Sequence, residues 1–136
     1  MIIRARAPLR LGLAGGGTDV SPYCDLYGGC VLNATIDRYA YAVLEVLRGD
    51  KVQFCSADRQ QSSEYGLGES IPCNGTLDLH RAVYLHMIHY FNEGRPLPVK
   101  VTTYCDAPVG SGLGSSSTLV VAMLKAFVEL LNVPLD

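Results

Sequence analysis

Pro108-Val109-Gly110-Ser111-Gly112-Leu113-Gly114-Ser115-Ser116-Ser117-Thr118 stands between an alternating run, Val99–Tyr104, and an apolar run that continues to Leu131. The first run reads as a strand and the second as a helix from about Ser115. Glycines at 110, 112 and 114 let the backbone turn tightly and bring its N–H groups close to a ligand. The first helical turn adds unpaired N–H groups and the positive end of its dipole. The hydroxyls of Ser115 to Thr118 add side-chain donors, so the segment is read as a phosphate site whose hydroxyls could also help ligate Mg2+. Two commoner phosphate loops do not fit. The P-loop pattern G-x-x-x-x-G-K-[ST] requires a lysine that is absent, and the dinucleotide pattern G-x-G-x-x-G meets Ser115 where its third glycine belongs. The plainer alternative is a serine-capped helix after a flexible turn.

Working outward, Ile2–Ala7 and Leu9–Ala14 read as short extended segments joined at Pro8 and running into Gly15-Gly16-Gly17. Gly28-Gly29 opens a β-rich stretch, Cys30 to Leu47, and Gly49-Asp50 turns it into a strand around Val52–Cys55. Residues 56–76 are polar and contain glycine, and are expected to be mostly loop. Asp78 is an expected helix N-cap, with Leu79, Ala82, Val83, Met87 and Tyr90 at helical spacing and Gly94 as the stop. The histidines at 80, 86 and 89 on that helix are expected at its surface or boundary. The helix from Ser115 is apolar on nearly every face, yet at about 17 residues it is short of the roughly 20 that a bilayer requires. Strands and helices mix without strict β-α-β alternation, which predicts an α+β fold in one domain, 1–136.

Composition narrows the function. The chain has 136 residues, 49% of them hydrophobic and 18% charged, which suits one globular core. A formal net charge of −2 offers no field for nucleic acid or an anionic membrane, so an anionic ligand must be held by a local site. Five cysteines without a C-x-x-C pair read neither as a zinc site nor as a disulfide framework, and the expected setting is the reducing cytoplasm.

Pro108-x-Gly110-x-Gly112-Leu113-Gly114-Ser115-Ser116 resembles the second signature motif of the GHMP kinases. Pro8-Leu9-Arg10-Leu11-Gly12-Leu13-Ala14-Gly15-Gly16-Gly17-Thr18-Asp19 resembles the first, in the triple-glycine form of the heptose-phosphate and fucokinase-like members. The resemblance runs from about residue 4 to the end, and includes Tyr27–Ile36 and Ser117–Val121. It implies the N-terminal ATP-binding lobe of such a kinase, a ribosomal-protein-like β-α-β sandwich. ATP phosphates would lie on Pro108, Gly110, Ser111, Gly112, Leu113, Gly114, Ser115 and Ser116, with Ser116 a Mg2+ ligand. A sugar phosphate would lie near Gly16, Gly17, Thr18 and Asp19, and Arg10 would orient or neutralise charge in catalysis. Taken alone, Arg10 and Asp19 could equally form a structural ion pair beside a turn.

The implied reaction is phosphoryl transfer from Mg-ATP to the anomeric hydroxyl of D-glycero-D-manno-heptose 7-phosphate, giving the 1,7-bisphosphate. The family's catalytic carboxylate and its metal glutamate have no counterpart in residues 1–136, so the chain is expected to be the inactive N-terminal part of a longer kinase. An unburied face on the 115–131 helix would then favour a homodimer. Another sugar kinase of the family, such as a fucokinase, is the alternative, as is a non-catalytic nucleotide- or sugar-binding module. A dinucleotide-dependent oxidoreductase is more distant.

Overall fold

The computed structural model describes residues 1–108 and 110–134. In chain order the elements are β1 (Ile2–Ala14), α1 (Tyr23–Tyr27), β2 (Leu32–Val46), β3 (Lys51–Ser56), β4 (Gln61–Gly66), α2 (Asp78–Phe91), β5 (Val99–Cys105) and α3 (Ser115–Leu131). The strands form one sheet in the order β1-β2-β5-β3-β4. All neighbours are antiparallel except β3 and β5, which run parallel and are joined through α2. The fold is α+β, as expected.

Strand periodicity explains which face is covered. Ala7 and Leu9, Ala40, Ala42 and Leu44, Val52 and Phe54, and Val99 and Val101 alternate along their strands and are all buried. They meet Val83, Tyr84, Met87 and Ile88 of α2 and Ala122, Met123, Ala126 and Phe127 of α3 in the core. The opposite face carries Tyr39, Tyr41 and Tyr104, with the Arg6 guanidinium 4.5 Å from the Tyr39 ring centre. One face of α3 is thus packed on the sheet, while Val120 and Leu124 beside it are only partly covered. Val121 is its large exposed hydrophobic residue, and Lys125 and Glu129 share the solvent side.

Four further readings are corrected. Ile2–Ala14 is one strand rather than two, because the chain passes Pro8 by shifting register on β2 from Pro8 opposite Tyr39 to Arg10 opposite Thr35. Residues 61–66 form β4, whose polar composition suits the sheet edge it occupies; Glu64 there pairs with Lys51 at 2.5 Å and accepts a bond from Gln53 at 2.7 Å. Asp78 is the first helical residue and not the cap. The cap is Leu77, while the Asp78 carboxylate turns back to accept the Asn74 and Gly75 amides at 3.2 and 3.0 Å. That loop is further held by the fully buried Arg81, which donates to the Pro72 carbonyl and the Asn74 side chain, each at 2.6 Å.

The fourth correction is His80, which is 5% exposed, with its Nε2 2.8 Å from the Thr103 hydroxyl. His86 and His89 are exposed. Burial pushes the His80 ring down to about 4, with Arg59 and Arg81 acting in the same direction and Asp58 opposing them. The folded ring thus stays neutral where the unfolded one takes up a proton near pH 6.5. Its contribution is complete above that value and is lost as pH falls towards 4, by roughly 3 kcal/mol in all. Urea midpoints should therefore drop between pH 7 and pH 4.5, and His80→Gln should flatten that slope. An unchanged slope in the variant would contradict the assignment.

Candidate active site

The phosphate-loop candidate leaves the sheet at the end of β5 and ends on α3. Gly110, Gly112 and Gly114 all have left-handed backbones, with φ of 82°, 73° and 71°. Gly114 is the cap of α3, and no side chain caps that helix. The serine-capped reading is thereby excluded. Thr118 donates its hydroxyl to the Gly114 carbonyl at 2.9 Å. Among the described residues, the hydroxyls of Ser115, Ser116 and Ser117 make no protein hydrogen bond, and Ser116 and Ser117 are exposed. A helix start with unpaired amides and free hydroxyls is suited to an anion. Val109 lies outside the described residues.

Leu113 has a different part. Its side chain packs on a small second core of Leu9, Ala40, Cys105 and Ala107, and its carbonyl accepts the Arg10 amide at 3.3 Å. Among the loop's residues it is an anchor. Arg10 itself lies across the loop: a methyl on Gly114 would stand 3.1 Å from its Nη1 and 3.2 Å from Cζ. The two glycine-rich motifs, about a hundred residues apart in sequence, thus meet at Arg10 and Gly114. Among the described residues neither Arg10 nor Asp19 joins an ion pair, so their structural pairing is not observed.

Beyond Arg10, every residue to Ala14 is exposed, and so are Leu32 to Thr35 opposite. This ribbon extends past the cover of the helices and presents the triple glycine at its tip. Gly15 is packed tight: a methyl there would overlap the Cys30 carbonyl oxygen and stand 3.0 Å from its carbon. On the facing segment, a methyl on Gly29 would meet the Thr18 carbonyl oxygen at 2.5 Å. Thr18 closes the turn, donating to the Gly15 carbonyl at 2.7 Å and accepting the Cys30 amide at 3.1 Å. Its hydroxyl is therefore taken up by the backbone. Gly16 and Gly17 face open space, and Asp19 is exposed. Among the described residues no hydrogen bond joins Gly16–Asp19 to the glycine-rich loop before α3.

One polar residue at the loop escaped the sequence reading. Asp106 accepts the Tyr39 amide on its Oδ2 at 2.8 Å. An aspartate at the end of a strand, just before Ala-Pro, was the available signal.

The fold and the loop are similar to those of GHMP kinase N-terminal domains. Residues 78–136 match the family described as GHMP kinases N terminal domain. Over nearly its whole length the chain is also similar to heptose phosphate kinases. The chain is 48% identical to the D-glycero-alpha-D-manno-heptose 7-phosphate kinase of Campylobacter jejuni over 98% of its own length and 39% of that protein. It superposes with a TM-score of 0.91 and 47% identity on a D-glycero-D-manno-heptose 1-phosphate kinase from Bacteriodes thetaiotaomicron, covering 100% of this chain and 44% of that one. The mevalonate kinase of Methanococcus jannaschii shares the fold, at a TM-score of 0.78 and 21% identity. The chain spans less than half the length of these proteins. No helix among its described residues is long and apolar enough to cross a membrane.

Proposed function

We propose that this chain supplies the phosphate-binding half of an ATP-dependent sugar-phosphate kinase acting on D-glycero-D-manno-heptose 7-phosphate. The observation that carries the reading is the meeting of Arg10 with the uncapped, hydroxyl-rich start of α3. In this reading the anomeric hydroxyl oxygen bonds to the γ-phosphorus while the bond from that phosphorus to the β,γ-bridging oxygen breaks. ADP leaves, and the hydroxyl proton passes to a carboxylate expected beyond residue 136. The amides of Gly110–Ser116 hold the phosphates in place, and the Arg10 guanidinium offsets charge on the transferred group.

Ser116 fits Mg2+, being an exposed hydroxyl oxygen with no partner among the described residues, and the ion would neutralise phosphate charge. Gly16 and Gly17 leave room for a sugar, and Asp19 accepts hydrogen bonds from adjacent sugar hydroxyls. Both substrates are highly charged and are held by local donors rather than by net charge, and we place the reaction in the cytoplasm.

Phosphorus NMR of the whole kinase with Mg-ATP and the heptose 7-phosphate tests the reading. A new anomeric phosphate resonance is expected; turnover of fucose or galactose in its place would refute the assigned sugar. The 136-residue chain alone is expected to bind Mg-ATP without turnover. In the whole enzyme, Ser116→Ala should raise the Mg2+ concentration for half-maximal rate about tenfold. An unchanged Mg2+ dependence would remove Ser116 from the metal site.

A further inference from the structure

The pairing of β2 with β5 ends at Ala40 opposite Cys105, so the next facing pair would be Tyr39 and Asp106. Half of that pair is regular: the Asp106 amide donates to the Tyr39 carbonyl at 3.0 Å. The other half is not. The Tyr39 amide donates to the Asp106 side chain, Oδ2 at 2.8 Å, where a regular ladder would offer the Asp106 carbonyl. The carboxylate substitutes for its own main chain, which is thereby free to turn out of the sheet into the glycine loop. Tyr39 is also the last β2 residue paired with β1 before Ile36–Arg38 bulge out, and its partner there is Pro8. Both main-chain groups of Tyr39 point to Asp106, so its pairing with Pro8 is a non-hydrogen-bonded one. Asp106 therefore fixes the main chain at the end of the β2–β5 ladder, beside the register shift on β1.

The loop is held at its other end by the Arg10 amide on the Leu113 carbonyl and by the Leu113 side chain in the second core. Between these two attachments a turn is closed by the Ser111 amide on the Pro108 carbonyl at 3.2 Å. The backbone clamp at Leu113 is independent of side-chain identity, whereas the clamp at Asp106 depends on one carboxylate. Among the described residues that carboxylate makes no ion pair.

We propose that Asp106 is a positioning residue for nucleotide binding: it sets where the phosphate loop leaves the sheet and so where the amides of Gly110–Ser116 converge. This rests on the reading of 108–118 as a phosphate loop. It does not make Asp106 a ligand of the nucleotide or of its metal ion, and the Asp106→Asn variant separates the two roles. Asparagine keeps an oxygen for the Tyr39 amide and loses the charge a metal ligand needs.

The test is calorimetric titration of Mg-ATP into the chain and its variants, with thermal melts and amide exchange at Tyr39. Asp106→Ala should weaken Mg-ATP binding about tenfold and lose protection of the Tyr39 amide. Asp106→Asn should stay within about twofold of the parent at unchanged Mg2+ dependence, since only the acceptor matters. Asp106→Glu keeps charge and acceptor but lengthens the tether; it should weaken binding severalfold, and gives the comparison if the alanine variant is unstable. Parent-like binding by Ala or Glu would overturn the proposal, as would Asn binding no better than Ala. If the parent chain takes up no Mg-ATP, the phosphate-loop reading itself falls, and this inference with it.

Discussion

Gly15→Ala is expected to destabilise the protein by about 3 kcal/mol, whereas Gly16→Ala next to it should change stability by less than about 0.5 kcal/mol. Both residues belong to the same Gly-Gly-Gly run, and composition alone does not separate them. Gly15 has φ of 74°, and a methyl there would collide with the Cys30 carbonyl, a backbone group held by its own amide on Thr18. Relief requires separating Gly15–Thr18 from Gly28–Cys30, which breaks the Thr18 bonds as well. Gly16 has no positive φ, and a methyl there would meet nothing within 4 Å. In thermal melts the first variant should lose about 10 °C and the second almost nothing. The proposed function adds an inverse pattern in activity: Gly16→Ala should weaken sugar-phosphate binding, because its open side is where the sugar is placed. Equal stability of the two variants would contradict the packing described at the tip of the ribbon.

Arg10→Ala should leave stability nearly unchanged, because the side chain is exposed, and should lower phosphoryl transfer by the whole kinase about 10²- to 10³-fold. The guanidinium lies over Gly114 at the cap of α3, with no carboxylate partner among the described residues. A cation held there without a partner is available to the phosphate that the loop binds. Arg10→Lys should recover part of the loss, keeping the charge but not the planar fork that matches phosphate oxygens. Gly114→Ala should act in the same direction and less strongly, since it only displaces the guanidinium while straining the cap. A rate for Arg10→Ala within threefold of the parent would leave Arg10 without a role in the chemistry.

The glycine turn at 110–114 and α3 were legible in the sequence because their signals are local. Alternate glycines followed by hydroxyls and a long apolar run admit few other structures, and α3 spans Ser115–Leu131 as read. The α+β class followed from the order of the elements. What was missed depends on tertiary context. β4 is polar because it lies at the sheet edge, and an edge strand without apolar alternation looks like a loop. His80 looked like one of three surface histidines, and it is buried because the fold brings Thr103 and Phe54 against it. Asp78 has the chemistry of a cap, yet its carboxylate serves the preceding loop, with Leu77 in the cap position. In the candidate site, the motifs named Arg10 and Gly114 separately, and nothing in their spacing required them to touch. Gly15 and Gly16 could not be told apart without Cys30, and what Asp106 does is set by its contact with Tyr39.

The most direct test of the central claim is titration of the isotope-labelled chain with Mg-ATP, following its backbone amides by NMR. The account predicts that the largest shifts fall on Gly110–Ser116 and Arg10, with α2 and β4 nearly still. Absence of shifts at Gly110–Ser116, or shifts centred on α2 and β4, would contradict it.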